Sequence, residues 1–306
     1  ALAPGPHRFE VKTRDLAGNE DASAAERSFT VSRLRVTITA PADGSTVAVG
    51  MLLIRGTVEA GGVEVGVAVN GVPVAVQGTV FAGLVPVTND MTTITALATA
   101  TDGATASRMI SLVVTAPVGT PAVLQASPAS GTAPLTVRFS LLGGPVPALV
   151  ELDADGDGVA DLVAPSLDGQ TFTYSRPGLY VPAVTITDAQ GARITIRAVV
   201  QVHDRTGLDG ALQARWAAMR DALRAGDIPS ALSHLAQRSR PRYERIFQVL
   251  APRLAAVDSM LMALVLDEVG EREVYYVMVR TDAGVTKSFE VRFVLDEDGL
   301  WRLQRF

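Results

Sequence analysis

The sequence predicts a multidomain, mainly β chain, with β-sandwich modules in tandem followed by one α+β domain. Three observations predict it. The first is a recurring hairpin: in residues 184–196 apolar side chains alternate on both sides of an Asp188-x-x-Gly191 turn, and related patterns surround Asp15 and Asp102. The three aspartates lie 87 and 86 residues apart, a period that fits one small sandwich per repeat. The second is composition: 48% of residues are apolar but only 5% aromatic, with 27 Gly and 17 Pro, the balance of short strands joined by turns. The third is that the apolar period changes from 2 to 3.6 after Asp209, so the last hundred or so residues obey different rules.

Length and charge narrow the function classes. At 306 residues the chain exceeds what one core of this kind encloses. Net charge is −5; before Thr206 there are 13 basic and 18 acidic residues, after it 14 of each, so the excess acid lies in the β modules. Neither half has the basic excess that phosphate neutralisation requires, and nucleic acid is not an expected partner. With no cysteine, disulfides and thiolate zinc sites are excluded. No apolar run approaches the roughly twenty residues that span a bilayer, and residues 1–5 have no signal-peptide pattern, so an export signal is expected upstream.

Residues 1–31 supply two strands, too few for a core. Gly5-Pro-His-Arg-Phe9-Glu-Val11, Asp15-Leu-Ala-Gly-Asn19 and Phe29-Thr-Val31 resemble the last hairpin of a bacterial immunoglobulin-like module, so the chain is expected to begin inside a module. Residues 33–116 form the first whole module. Its strongest signal is Asn70-Gly71 between two valine-rich runs, because both residues accept positive φ. With the Val69-Asn-Gly-Val-Pro73 turn, this span also resembles bacterial immunoglobulin-like modules. Its one aromatic residue, Phe81, is expected in the core, which argues against a sugar platform. Residues 117–120 read as a linker. Residues 121–204 resemble the polycystic-kidney-disease type of β-sandwich through Ser127-Pro-Ala-Ser-Gly131-Thr-Ala-Pro134-Leu-Thr-Val137-Arg-Phe139, Pro177-Gly178-Leu-Tyr180 and Val184-Thr-Ile186-Thr-Asp188. The family's tryptophan-containing acidic element is replaced by Leu152-Asp-Ala-Asp-Gly-Asp-Gly158, which leaves Leu152 to fill the tryptophan's place.

That replacement holds the one constellation with chemistry in it. Asp153, Asp155, Asp157 and Asp161 place carboxylates at positions 1, 3, 5 and 9 of a calcium-type loop, with Gly158 at 6 and the Val159 carbonyl at 7. Calcium, a hard cation taking six to eight oxygens, suits such a set. Position 12 is Ala164 rather than a bidentate glutamate, so any calcium site is expected to be of the weak, extracellular type, stiffening one end of a sandwich. The competing reading is a solvated turn in which Asp and Gly serve backbone geometry.

In residues 207–306, Leu212, Trp216, Met219 and Leu223 form a helical stripe that Gly226 ends, Asp227 and Pro229 open a second helix, and Tyr243, Ile246, Phe247, Leu250 and Leu254 mark a third. Strands are expected at 260–266, 273–280, 285–295 and 300–306. The order of elements and the closing Asp298-Gly299-Leu-Trp301-Arg302-Leu-Gln-Arg-Phe306 resemble the nuclear-transport-factor-2-like superfamily, including its SnoaL-like members. The resemblances together imply tandem immunoglobulin-like β-sandwiches followed by an α+β cone-shaped domain. A cone implies a cavity, for which Trp216, Tyr243, Tyr275, Met278 and Trp301 are the candidate lining. The acid/base candidates His234, Asp258, Tyr243, Tyr275 and Tyr276 match no catalytic motif.

The leading expectation is a non-catalytic region of an exported bacterial protein, extracellular, on the cell surface or periplasmic. In it a sandwich stalk, joined to upstream modules and acting in spacing or adhesion, presents a domain that binds a protein or small-molecule ligand. The alternatives are an isomerase- or hydrolase-like enzyme acting on a small hydrophobic molecule in the C-terminal cavity, or an accessory region of a secreted hydrolase.

Overall fold

The computed structural model describes residues 5–31, 34–116, 119, 121–282 and 284–306; the linker expected at 117–120, apart from Gly119, lies outside them. The chain is mainly β, 52% strand and 16% helix.

The three aspartate turns work by one mechanism. Asp15 Oδ1 accepts from the amides of Ala17 and Asn19, both at 2.9 Å, and Asp188 Oδ1 does the same for Gln190 at 2.8 Å and Ala192 at 2.9 Å. In both turns the glycine three residues on donates to the aspartate carbonyl. Asp102 caps more simply, accepting from Ala104 at 2.9 Å. A short carboxylate that folds back on its own backbone sets each turn.

Strands Gly5–Val11 and Ala25–Val31 pair antiparallel as a two-stranded sheet, and among the described residues none of theirs joins a hydrophobic core cluster. The eight strands of residues 35–115 form one hydrogen-bonded sheet whose core includes Ile54, Val67, Phe81 and Ile94. Phe81 reaches that core because Gly56 makes room: a Cβ there would lie 2.2 Å from the ring. Asn70 and Gly71 take φ of 48° and 77°, the geometry of a two-residue hairpin turn. In residues 122–203 three small sheets enclose Phe139, Val150, Leu152, Tyr174, Val184 and Ile186. Leu152 is 2% exposed.

Helix α1 (Arg205–Arg224) starts four residues before Asp209, because Asp204 caps it by accepting from Gly207 at 2.7 Å. It ends at Gly226, φ +74°, where Gly226 and Asp227 donate back to Leu223 and Ala222. Helix α2 (Ile228–Ser233) is capped by Asp227, and α3 (Arg240–Leu250) buries Tyr243 and Phe247. These helices pack on a four-stranded antiparallel meander, Leu264–Val269, Glu273–Asp282, Val285–Leu295 and Trp301–Arg305. The first strand begins at Leu264 rather than 260. Met260 ends a short helix instead, and the Met262 carbonyl accepts from the Trp216 indole at 2.9 Å. No described helix is long and apolar enough to cross a membrane.

Candidate functional site

Three places compete for function: the acidic loop, the interior of the helical domain, and the junction between that domain and the sheets before it. In the loop, Asp153, Asp155 and Asp161 each bring one oxygen within 4.8 Å of the others. Asp157 faces elsewhere, its Oδ1 accepting from the Val159 amide at 2.7 Å. Asp153 is already occupied by backbone, accepting from Gly156 at 2.7 Å and Gly158 at 2.9 Å, and Asp161 accepts from Ala154 at 2.7 Å. Three of the five expected ligands thus converge, in a loop that its own amides hold in shape. Three converging carboxylates fit a calcium ion in part, water and carbonyl oxygens having to supply the rest of its shell. Beneath the loop the Tyr174 hydroxyl donates to the Ala154 carbonyl at 2.6 Å; burial, reinforced by Asp161, raises its pKa.

Of the five cavity candidates, Trp216, Tyr243, Met278 and Trp301 pack in one hydrophobic core, none more than 8% exposed. Phe306 packs against two of them: it stacks on Tyr243 at 4.5 Å and meets Trp216 edge-on at 5.3 Å. Tyr275 lies outside that core, bonded to Glu273, with Arg292 over its ring. The acid/base candidates are similarly dispersed. Asp258 is paired with Arg224 and Arg220, which hold its carboxyl below the usual range. Tyr276 is pushed up by burial and its bond to Asp209. His234 is lowered to about 4 by burial and by Arg215 and Arg302.

The junction is the most elaborately built of the three. At Gly66 of the first sandwich a Cβ would stand 2.3 Å from the Asp298 carbonyl oxygen; at Gly299 one would stand 2.7 Å from the Val67 amide. The Asp296 to Gly299 turn therefore rests backbone against backbone on strand Val65–Val69. Beside it Arg215 of α1, 6% exposed in its side chain, donates to Glu64 at 2.7 Å. Arg215 is the one charged residue that is buried among those described. Burial lowers its pKa and Glu64 opposes that shift. The second sandwich touches the same domain more lightly, the Ala129 amide donating to Glu271 at 2.7 Å and His203 meeting Trp301 edge-on at 6.2 Å. Two clefts, of about 430 and 250 Å³, open there and share Val74, Gln201, His203, Leu295 and Trp301. Sequence reasoning missed this junction. One signal was present: Arg215 stands three residues after Leu212 and four before Met219, on the apolar stripe of α1.

No protein-family model matches the chain, and no curated protein matches it. Among solved structures it is similar to an engineered protein at 27% identity, over 27% of this chain and 20% of that one, TM-score 0.23. It is also similar to the fibronectin(III)-like modules of CbhA from Clostridium thermocellum, at 15% identity over 55% of this chain and 95% of that one, TM-score 0.21. A third likeness is to a modular endo-β-1,4-mannanase from Cellulomonas fimi, at 28% identity over 27% of this chain, TM-score 0.21. The chain spans 20% of the length of the engineered protein and 19% of that of the mannanase. At these TM-scores the likenesses carry no functional argument. The sheets themselves give the immunoglobulin-like β-sandwich character of the chain, with strands around separate apolar cores.

Proposed function

We propose that this chain is a non-catalytic region of an exported bacterial multimodular protein. In this reading, immunoglobulin-like and polycystic-kidney-disease-like sandwiches (33–116 and 121–204) hold a nuclear-transport-factor-2-like domain (207–306) in a fixed attitude for binding a ligand or partner. The observation that carries it is the junction: a turn laid on a strand at Gly66 and Gly299, and a buried arginine answered by Glu64 from the other module. A domain that merely trails on a linker has no use for either. The packed interior favours binding over catalysis, since Trp216, Tyr243, Met278 and Trp301 are structural there. Small-angle scattering tests the reading. The wild-type chain is expected to scatter as one body from 50 mM to 1 M salt, whereas a profile that requires an independently moving C-terminal domain overturns it.

In the same reading, calcium stiffens one end of the second sandwich through Asp153, Asp155 and Asp161, a role supported by the convergence of their oxygens. Calorimetry on the whole chain should show heat at millimolar calcium that vanishes in Asp155→Asn/Asp161→Asn. Absence of heat in the wild type reduces the loop to a hydrogen-bonded turn.

A further inference from the structure

The equal count of acid and base after Thr206 conceals a segregation. Many of the carboxylates are engaged: Asp258 on Arg220 and Arg224, Glu273 on Arg292, Asp296 and Asp298 on Arg302, and Glu271 across the junction on the Ala129 amide. The exposed Asp267, Glu268 and Glu290 stand on strands of the meander and not on α3. Between Arg238 and Arg253, by contrast, stand five arginines and one glutamate. Arg242, Arg245 and Arg253 are exposed and no carboxylate pairs with them among the described residues. Arg305 is likewise exposed and unpaired, and acts with Arg242 on Tyr243, which places it beside the helix. Arg238 meets Glu297 at 2.9 Å, but with side chains 85% and 61% exposed that pair is worth little. On α3 the buried side is Tyr243 and Phe247; Arg242, Arg245 and Val249 follow at spacings of 3 and 4 and so share the opposite, outward side, Val249 being 80% exposed.

We propose that this arginine row of α3, with Arg305 beside it, is a docking surface for a linear carboxylated polysaccharide. Guanidinium groups bind carboxylates as planar, two-pronged pairs. In the row Arg245 spends only its Nε, on the Pro241 carbonyl, and Arg242 lies over the Tyr243 ring, which leaves the terminal nitrogens of both to face a ligand. Arginines three residues apart on a helix are separated by about 4.5 Å along its axis. That wide spacing suits a polymer of modest charge density better than duplex DNA, with one charge per about 1.7 Å. The chain's net charge of −5 also repels a dense polyanion. An acidic protein is less well suited, because protein interfaces centre on desolvated apolar anchors and Val249 is the lone exposed apolar side chain of the row. The proposal rests on the reading of the C-terminal domain as the part that binds, and it names the class of partner.

The test is affinity electrophoresis of the full chain through gels containing polygalacturonate. The wild type is expected to be retarded at 50 mM salt, with retardation fading by 300 mM. Arg242→Glu/Arg245→Glu should raise the apparent dissociation constant at least tenfold, and Arg242→Lys/Arg245→Lys severalfold. Arg108→Glu/Arg138→Glu makes the same charge change on exposed sandwich arginines and should leave retardation unchanged. An unretarded wild type overturns the proposal, as does equal loss in the sandwich variant, or tighter binding to duplex DNA or anionic vesicles than to the polyuronate. Scattering separates the two readings: a chain that scatters as one body but is not retarded loses the partner and keeps the scaffold.

Discussion

The helices and meander of residues 205–306 meet the two sheet regions before them in opposite ways. Against the first, main chain lies on main chain at Gly66 and Gly299, and a buried cation finds its counter-charge across the boundary. Against the second, one amide-to-carboxylate bond at an exposed glutamate and an edge-on ring contact make the join, and the cleft of about 430 Å³ reaches both contacts, lined by Glu64 and Gly299 as well as His203 and Trp301. A backbone contact tolerates no added atom, while a single bond to an exposed carboxylate readily admits water. The first should therefore govern whether the domain docks at all, and the second should tune only its angle.

The largest effect is expected at Gly66. It does not adopt positive φ, so alanine suits its backbone and the substitution tests the contact alone. Its Cβ would meet a carbonyl oxygen that cannot rotate away. Gly66→Ala should cost docking about 3 kcal/mol, the upper end for overpacking. The expected signature is a larger radius of gyration and a split thermal transition; unchanged scattering would mean that the glycine contact is incidental.

Glu64→Ala comes next. Removing one member of a buried pair costs about 3–5 kcal/mol, but Glu64 is 42% exposed, and screening brings the expectation to about 2 kcal/mol. Glu297→Ala is the matched control, removing a carboxylate from an exposed arginine for under about 0.5 kcal/mol. Equal shifts in melting temperature for the two would show that Arg215 finds water when Glu64 is gone.

Acid should weaken the same region. His234, lowered to about 4, lies beside Arg215 and Arg302, and burial also lowers His203 at the second contact. Above the ordinary histidine value of 6.5 both states are neutral and nothing is lost. As pH falls from there toward 4 the unfolded chain takes protons that the folded chain refuses, so stability declines across that window and levels off below it. With His234 partly exposed, about 1–2 kcal/mol is expected. The check is a melting-temperature series from pH 7.5 to 4, in which His234→Gln should flatten the slope; an unchanged slope assigns it to carboxylates.

Local periodicity explains why some of this was legible in the sequence. The hairpin at Asp188, the Asn70-Gly71 turn and the apolar stripe of α1 are set by residues within a few positions of one another, and each forms where its pattern places it. The junction joins Gly66 to Gly299 and Glu64 to Arg215, partners 233 and 151 residues apart, and no local pattern records such a pairing. Gly299 reads in sequence as an ordinary turn glycine, which its φ of +79° also makes it, and its second role appears only where Val67 lies against it. The arginine row was hidden for a different reason. A charge count adds all fourteen bases and fourteen acids of the domain, whereas a surface is shaped by which of them remain unpaired.

The smallest effect, and the sharpest test of the contrast, is at Glu271. Its carboxylate is the polar link to the second sandwich, accepting from the Ala129 amide from an exposed position. Charge-assisted bonds to backbone are worth more than neutral ones, yet water reaches this one, so Glu271→Ala should cost about 0.5–1 kcal/mol. If the second contact only tunes angle, this variant should keep a single thermal transition and the wild-type radius of gyration. It should quicken hydrogen exchange at the Ala129 amide and in strand Val200–His203, and leave Val65–Val69 protected. Loss of protection at Val65–Val69 as well would mean that the two contacts open together, and the division between a governing and a tuning contact would have to be abandoned.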